Sequence, residues 1–204
     1  MDPKIAITYV SGNAGKIAEI KRLNNGYVNL NYLDLDLVEI QGTAEEIAIA
    51  KCKAAFEIVK GPVLIEDSSL YFSNLNGLPG PYIKDFMKRL DLTSLARLGE
   101  TKYGNTTAQA KCIYAFHDGY SSKPKLFIGI RTGKIVYPRS NISDAFGWDP
   151  IFELDMGLKN TLHGPILYLT YAEMPYETKD RYSDRYLAFD KFKEYITTFK
   201  KYLN

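Results

Sequence analysis

The chain has 204 residues, 46% of them hydrophobic and 25% charged, which is typical of a globular protein with one sizeable α/β domain. A net charge of +2 is too small to indicate nucleic-acid binding by bulk electrostatics. No apolar run is long enough for a membrane span or a signal peptide. We therefore expect a cytoplasmic protein with neither nucleic acid nor membrane as a partner.

The cysteines and histidines predict no soft metal site. Cys52 and Cys112 fit no C-x-x-C motif, and their separation predicts buried, reduced thiols. His117 and His163 are isolated from each other and from both cysteines, which argues against a zinc site or a Ser-His-Asp triad. Any metal should therefore be a hard cation held by carboxylates.

The first predicted elements are a strand at Ile5–Tyr9 and a helix over Ile17–Leu23, where isoleucine and leucine recur at helical spacing. The turn between them consists of Ser11, Gly12, Asn13, Ala14, Gly15 and Lys16. A helix N-terminus beside a lysine is suited to binding phosphate. The turn is not a Walker loop, because Val10 stands at the first glycine position and Ile17 follows the lysine. Taken alone, it is equally typical of an ordinary connection, with glycine for geometry and lysine for solubility.

The next segments bring carboxylates to the ends of predicted strands. Leu33–Leu37 alternates with period 2 and predicts a strand that runs into Glu39. A capping box at Thr43–Glu46 opens a helix that ends near Gly61-Pro62. We place four residues on its apolar face, namely Ile47, Ala50, Ala54 and Ile58. A short apolar strand, Val63–Ile65, then leads into Glu66, Asp67 and Ser68.

Carboxylates at strand ends near a phosphate-binding turn are what Mg²⁺ requires, because it takes oxygen ligands and bridges to phosphates. One of them would also polarise an attacking water molecule. Alternatively, Glu66 and Asp67 cap a loop and Glu39 lies on the surface.

The remaining pattern predicts a mixed sheet covered by helices, because helices and strands alternate early and strands cluster later. The predicted elements are a rigid loop at Asn76–Pro81, a helix at Tyr82–Leu90, and strands at Ala110–Phe116, Leu126–Arg131 and Lys134–Tyr137. The chain ends in a long amphipathic helix that carries Phe189, Phe192, Ile196, Phe199 and Leu203.

Two further segments have the chemistry to recognise a nucleobase. The turn Phe146–Pro150 contains the only tryptophan, which either stacks on a base or plugs a hydrophobic loop. Four polar residues stand at the predicted start of the last helix, where they either read a base edge or are simply solvated; they are Lys179, Ser183, Asp184 and Arg185.

In this order, the motifs resemble those of the Ham1-like family of inosine triphosphate pyrophosphatases, over nearly the whole chain. The matching segments are Ser11–Lys16, Glu39–Gly42, Lys51-Cys52, Glu66–Leu70, Gly77–Lys84, Phe146–Pro150, Tyr171–Pro175 and Ser183–Arg185. The resemblance implies a single domain, residues 1–204, with an elongated mixed β-sheet flanked by helices and two lobes around a central active-site cleft. It also implies a homodimer.

The activity implied by the resemblance is Mg²⁺-dependent hydrolysis of ITP, dITP and XTP to the monophosphate and pyrophosphate, which cleanses the nucleotide pool. Mn²⁺ would substitute for Mg²⁺. By position, Glu39 and Asp67 would bind the metal, and catalysis would rest on Asp67 as proton acceptor with Lys16 and Glu66. Triphosphate binding would fall to the turn Ser11–Lys16 with Lys51, Ser68 and Lys84. The base would be bound by Phe146, Gly147, Trp148, Asp149, Lys179, Ser183, Asp184 and Arg185.

The chain departs from the family pattern at several places. Ser11 stands where threonine is usual and Ser69 where many members have glycine. Asp184 replaces the usual histidine, and it either accepts a hydrogen bond from the N1–H or 2-amino group of guanine or pairs with a neighbouring basic residue. The segment Leu158–Thr170 is longer than usual and would form a lid or a dimer element. Two alternatives remain open, a Maf-like pyrophosphatase that prefers other nucleotides and a nucleotide-binding homologue with weakened catalysis.

Overall fold

The computed structural model describes residues 6–101, 104, 106–139, 145–155 and 168–202, with side chains as far as residue 198. The strands in this part of the chain are β1 (Ala6–Val10), β2 (Asn29–Leu33), β3 (Val63–Phe72), β4 (Pro79–Gly80), β5 (Thr107–His117), β6 (Lys125–Ile135) and β7 (Phe152–Leu154). The helices are α1 (Ala14–Asn24), α2 (Ala44–Val59), α3 (Ile83–Met87), α4 (Leu92–Leu98), α5 (Tyr176–Tyr182) and α6 (Asp184–Tyr202).

The strands form one mixed sheet in the order β2-β1-β3-β5-β6-β7, with β4 paired to β3. β1 runs parallel to both β2 and β3, whereas β4 and β7 pair antiparallel with β3 and β6. The expected mixed α/β fold is therefore confirmed. Among the described residues, no helix combines the length and the apolar character needed to cross a bilayer.

The chain divides into two compact units. Unit 1 comprises Met1–Ser68, Cys112–Gly129 and Asp184–Asn204, and unit 2 comprises Ser69–Lys111 and Ile130–Ser183. In unit 1, one face of the sheet packs on α1 and α6 and the other packs on α2. The core of unit 2 is centred on Trp148 and Phe152. The predicted central cleft stays a prediction.

The second strand lies earlier than its alternating pattern predicts. β2 pairs with β1 in a register that ends at Val10↔Leu33, so the residues that follow have no neighbouring strand to continue the ladder. Leu35 and Leu37 instead pack on the α2 side of the sheet. Their alternation with aspartates therefore reflects burial rather than strand structure, and the predicted strand Leu33–Leu37 is wrong apart from its first residue.

The apolar face predicted for α2 is confirmed at Ile47 but is otherwise misplaced. Its buried residues are Ala44, Ile47, Ala48, Cys52 and Ala55, whereas Ala54 and Ile58 are exposed. Lys51 lies on the inward side between Ala48 and Cys52. Because a charged residue stands among these small buried residues, the sequence pattern does not identify this side of the helix as the buried one. The capping box at Thr43 and Glu46 is confirmed.

Several other boundaries differ from the prediction. β3 continues through Glu66 and Asp67, which therefore lie inside a strand but immediately beyond the Val10↔Ile65 pair, where β1 ends. The two strands predicted at Leu126–Arg131 and Lys134–Tyr137 are one strand, β6, because Gly133 continues the ladder and lets β7 approach closely. α4 and β7 were not predicted.

At the end of the chain, α6 buries Phe189, Phe192 and Ile196 as predicted. Lys179 does not begin this helix but lies in the separate α5. Some predictions lie outside the described residues, namely those for Ile5, His163, Leu203, the side chain of Phe199 and most of the segment Leu158–Thr170.

Candidate active site

The turn between β1 and α1 has the features of an anion site. Asn13 caps α1 by accepting a hydrogen bond from the Lys16 amide at 3.1 Å, and the first helical turn carries no acidic residue. A Cβ at Gly12 would meet the carboxylate of Asp34, so that side chain would have to move. A helix start of this kind offers backbone N–H groups and the positive end of the helix dipole to an anion.

Glu66 is a buried carboxylate that accepts hydrogen bonds on both of its oxygens. Oε2 accepts from Tyr9 Oη at 3.2 Å, Tyr114 Oη at 3.1 Å and Arg185 Nε at 3.0 Å. Oε1 accepts from Ser68 Oγ at 2.9 Å and Arg185 Nη2 at 3.0 Å, and Lys16 Nζ lies 3.3 Å away. Such a carboxylate fixes the side chains around it and has little capacity left to accept a proton from a reacting group.

Arg185, predicted to bind the base, is held by carboxylates in unit 1. Its guanidinium binds Glu66 through two nitrogens and donates a further, very short hydrogen bond to Glu19. Burial lowers the pKa of Arg185 to about 10, so the side chain remains charged at neutral pH. The planar guanidinium matches a carboxylate bidentately, which favours a single fixed orientation.

The two tyrosines bound to Glu66 stay protonated. Burial, together with the charge of Glu66, raises the pKa of Tyr9 and of Tyr114 well above the ordinary value. Both phenols are therefore permanent hydrogen-bond donors. Lys16 Nζ also donates to the backbone carbonyl of Glu66 at 3.2 Å, which places its charge beside the strand that carries Asp67.

The two predicted metal ligands converge on one point. Lys51 Nζ lies 3.1 Å from Glu39 Oε1 and 3.4 Å from Asp67 Oδ1. Burial alone would lower the pKa of Lys51, but the charges of Asp67 and Glu39 and their hydrogen bonds outweigh it and raise the pKa. Two carboxylate oxygens that face one cation in this way could hold a small hard cation in its place.

In unit 2, Asp149 and Lys179 form a buried, very short ion pair. Lys179 Nζ lies 5.5 Å from the Phe146 ring centroid and 5.6 Å from that of Tyr171. Burial raises the pKa of Asp149, and the charge of Lys179 offsets this only in part. Trp148 packs against Phe152 and Tyr171 in the core of the unit, and its stacking on a base stays a prediction.

The remaining predicted residues have varied surroundings. Lys84 is exposed on α3 and Gly147 is exposed with φ +56°, whereas Ser183 is buried between α5 and α6. Asp184 is buried in unit 1, so its role towards guanine stays a prediction. The structure thus gathers the turn, Glu39, Lys51, Glu66–Ser68 and Arg185 within unit 1, and the Phe146–Asp149 motif with Lys179 within unit 2.

Sequence reasoning missed three residues of the Glu66 network, namely Tyr9, Glu19 and Tyr114. A signal was available for Glu19, because an acidic residue next to Ile20 on the buried side of α1 needs a partner. The tyrosines gave no such signal, since a tyrosine in a buried strand is common.

Comparison with known proteins identifies the family of the chain. A model of the Ham1 family matches residues 7–195. The chain is 42% identical over 190 residues to the inosine triphosphate pyrophosphatase of Chaetomium globosum, covering 93% of this chain and 92% of the relative. It is 39% identical over 195 residues to that of Schizosaccharomyces pombe, covering 96% and 97%.

Solved structures share the fold. A HAM1 protein from Coxiella burnetii superposes with a TM-score of 0.77 at 23% identity, covering 95% of this chain and 99% of that one. The Ham1 protein of Staphylococcus aureus gives a TM-score of 0.70 at 26% identity, covering 95% and 98%. The motifs, the family model and the curated relatives agree, and the chain belongs to the Ham1 family.

Proposed function

We propose that this protein is a nucleoside-triphosphate pyrophosphatase that hydrolyses non-canonical purine nucleotides such as ITP, dITP and XTP to the monophosphate and pyrophosphate. The observation that carries the proposal is the convergence of Glu39 and Asp67 on one cationic position, in the same unit as the anion-binding turn. The names of the curated relatives support the substrate class.

The donor set fits Mg²⁺. Among the described residues, no group of three or more His, Cys, Asp and Glu side chains could hold a metal ion. Two carboxylates suffice for Mg²⁺, because it keeps several waters and takes its remaining ligands from substrate phosphates. Glu39 and Asp67 would hold the ion, which when bound would neutralise charge on the phosphates.

The side chains of unit 1 divide the remaining tasks. Lys16 and the start of α1 bind the phosphate groups and neutralise their charge. Asp67 accepts the proton of the attacking water, since both oxygens of the adjacent Glu66 are occupied by hydrogen bonds. Glu66 is a positioning residue that fixes Lys16 and Arg185.

Base preference follows from the donors in unit 2. Lys179, which donates to Asp149 in this structure, only donates hydrogen bonds. A base beside it would therefore suit it with the 6-oxo acceptor of hypoxanthine or xanthine, whereas the 6-amino group of adenine would meet it donor to donor. A buried polar group left without its partner is a strong way to reject an analogue. We therefore expect ATP to be a poor substrate.

Product analysis tests the proposal. With ITP and Mg²⁺, ion-exchange chromatography should show IMP and pyrophosphate, and Asp67→Asn should lose at least the roughly hundredfold to ten-thousandfold contribution of a general base. Asp190→Asn, which removes a half-exposed carboxylate paired with Lys193 on α6, is the matched control and should retain activity.

Formation of IDP and orthophosphate would exclude hydrolysis to the monophosphate and pyrophosphate. Preference for other nucleotides would favour the Maf-like alternative, and binding without hydrolysis would favour the weakened homologue.

A further inference from the structure

We propose that Lys51 is a tethered cation that occupies the metal position in the metal-free protein and is released to the triphosphate when the metal binds. The inference rests on the proposed function and deepens it. It predicts that metal binding and phosphate binding are coupled through one side chain.

The first step of the inference is that Lys51 balances the charge of two carboxylates. Its ammonium lies 3.1 Å from Glu39 Oε1 and 3.4 Å from Asp67 Oδ1, and the side chains of Lys51 and Asp67 are each only 14% exposed. The ammonium is therefore largely withdrawn from solvent and balances two facing carboxylates. Without a cation there, the partly buried carboxylate of Asp67 and the carboxylate of Glu39, whose side chain is 38% exposed, would repel each other.

The second step is that Lys51 and a divalent cation exclude each other. Both would need the same carboxylate oxygens, and like charges at such a distance repel strongly away from bulk water. α2 is anchored by the capping box at Thr43 and Glu46 and by its buried face, so the flexible four-carbon stem moves rather than the helix.

The third step is where Lys51 goes. Glu39 and Asp67 would hold Mg²⁺, which also takes phosphate oxygens as ligands, so substrate phosphates would lie beside the position that Lys51 leaves. The ammonium then exchanges carboxylate partners for phosphate partners. Metal binding thus prepares the site for the triphosphate, and by linkage the triphosphate favours metal binding.

Metal affinity without nucleotide provides the first test. Mn²⁺ binding, followed by the electron paramagnetic resonance signal of free Mn²⁺, should be tighter in Lys51→Met than in the wild type. We expect the Mn²⁺ affinity to rise about 5- to 150-fold, which is the usual size of a coupling between two sites.

Two control variants accompany this test. Lys51→Arg retains the tethered charge and should bind Mn²⁺ as the wild type does. Lys53→Met removes an exposed lysine from the same helix and is the matched control. Equal affinity in wild type and Lys51→Met, or no Mn²⁺ binding to either, overturns the proposal.

A double-mutant cycle distinguishes the release of Lys51 from the electrostatic effect of removing a negative charge near the phosphate site. In metal-free buffer, Glu39→Gln should bind pyrophosphate more tightly by calorimetry, because Lys51 loses one of its two carboxylate partners. In the Lys51→Met background, Glu39→Gln should give no increase in pyrophosphate affinity. If the gain persists in the double variant, the lost negative charge acts by itself and the proposal fails.

These measurements use Mn²⁺ and pyrophosphate alone, so their outcome does not depend on which nucleotide is hydrolysed. If the wild type hydrolyses ITP but shows no coupling between metal binding and pyrophosphate binding, the role of Lys51 is refuted and the proposed function stands. If the coupling is found but ITP is not hydrolysed, the proposed function is refuted and the role of Lys51 stands.

Discussion

Glu66 and Asp67 are sequence neighbours with opposite surroundings. Successive side chains of a strand point to opposite faces, so the pleat of β3 sends them to different sides of the sheet. Glu66 meets Tyr9 and Tyr114, whereas Asp67 meets Lys51 on the α2 side. One carboxylate is thereby an internal anchor, and the other, whose side chain is 14% exposed, faces the position that we propose for the metal.

At the same scale, the Asp149–Lys179 pair makes a stability prediction. Because both charges are buried, Asp149→Asn or Lys179→Met alone leaves an uncompensated charge and should destabilise the protein by about 3–5 kcal/mol. The double variant should recover most of that loss in urea unfolding. The exposed pair Lys88–Asp85 is the control, where Lys88→Met should cost at most about 1 kcal/mol. Similar small losses at both pairs would contradict the prediction.

At the scale of elements, the sequence predicted where helices and strands occur better than where they end. β1, α1, α2 and the core of β5 follow directly from periodicity and capping. Strand ends depend on partners that periodicity does not reveal, since β2 ends where its pairing with β1 ends. The inward face of α2 was misplaced because Lys51, a charged residue paired with Glu39 and Asp67, lies among core positions.

The contact of α6 with β6 depends on a glycine. A Cβ at Gly129 would overlap backbone atoms of Asp184 and Ala188, which cannot move without shifting the helix. Gly129→Ala should therefore destabilise the protein by about 1–3 kcal/mol and reduce activity, because Arg185 is the next residue after Asp184.

Urea unfolding and ITP turnover check this prediction. Gly61→Ala is the matched control, because the nearest atom to its new Cβ, outside its chain neighbours, is 4.0 Å away. A Gly129 variant as stable and active as the Gly61 variant would show that α6 can shift without cost.

At the scale of the whole molecule, the family and mixed fold were predictable because many motifs recur in order. The Glu66 network was not, because it joins residues 119 and 166 positions apart, beyond the reach of any local pattern. The carboxylates were predicted as a group from their place after strands. Their division into anchor and candidate ligand required the three-dimensional contacts.

The buried phenols and thiols predict a loss of stability at alkaline pH. Burial raises the pKa of Cys52 to about 12 and raises those of Cys112, Tyr9 and Tyr114 well above their ordinary values. In the unfolded chain these groups release protons near pH 8.5 for cysteine and 10 for tyrosine, roughly. Their contribution to the free energy of unfolding is therefore fully present at neutral pH. It is lost as the pH rises from about 8.5 towards the pKa values of the folded protein.

Urea unfolding between pH 7 and 11 measures this loss. Tyr114→Phe should make the decline above pH 10 shallower, by up to about 1.4 kcal/mol per pH unit for one proton. Tyr120→Phe removes a phenol that is 84% exposed and should leave the slope unchanged. An unaltered slope in Tyr114→Phe would mean that its phenol ionises alike in both states.

The span of the Arg185 contacts has a consequence for synthesis of the protein. A ribosome makes Glu19 and Glu66 long before Arg185, which lies 166 and 119 residues further along the chain. Until then, the N-terminal segment of the nascent chain carries the Glu19 and Glu66 carboxylates without the guanidinium that binds both of them in the folded protein. Chains usually fold from the N-terminus as they emerge, but this segment must wait for its distant partner. The network of Glu19, Glu66 and Arg185 is thus completed only after the last helix has been made.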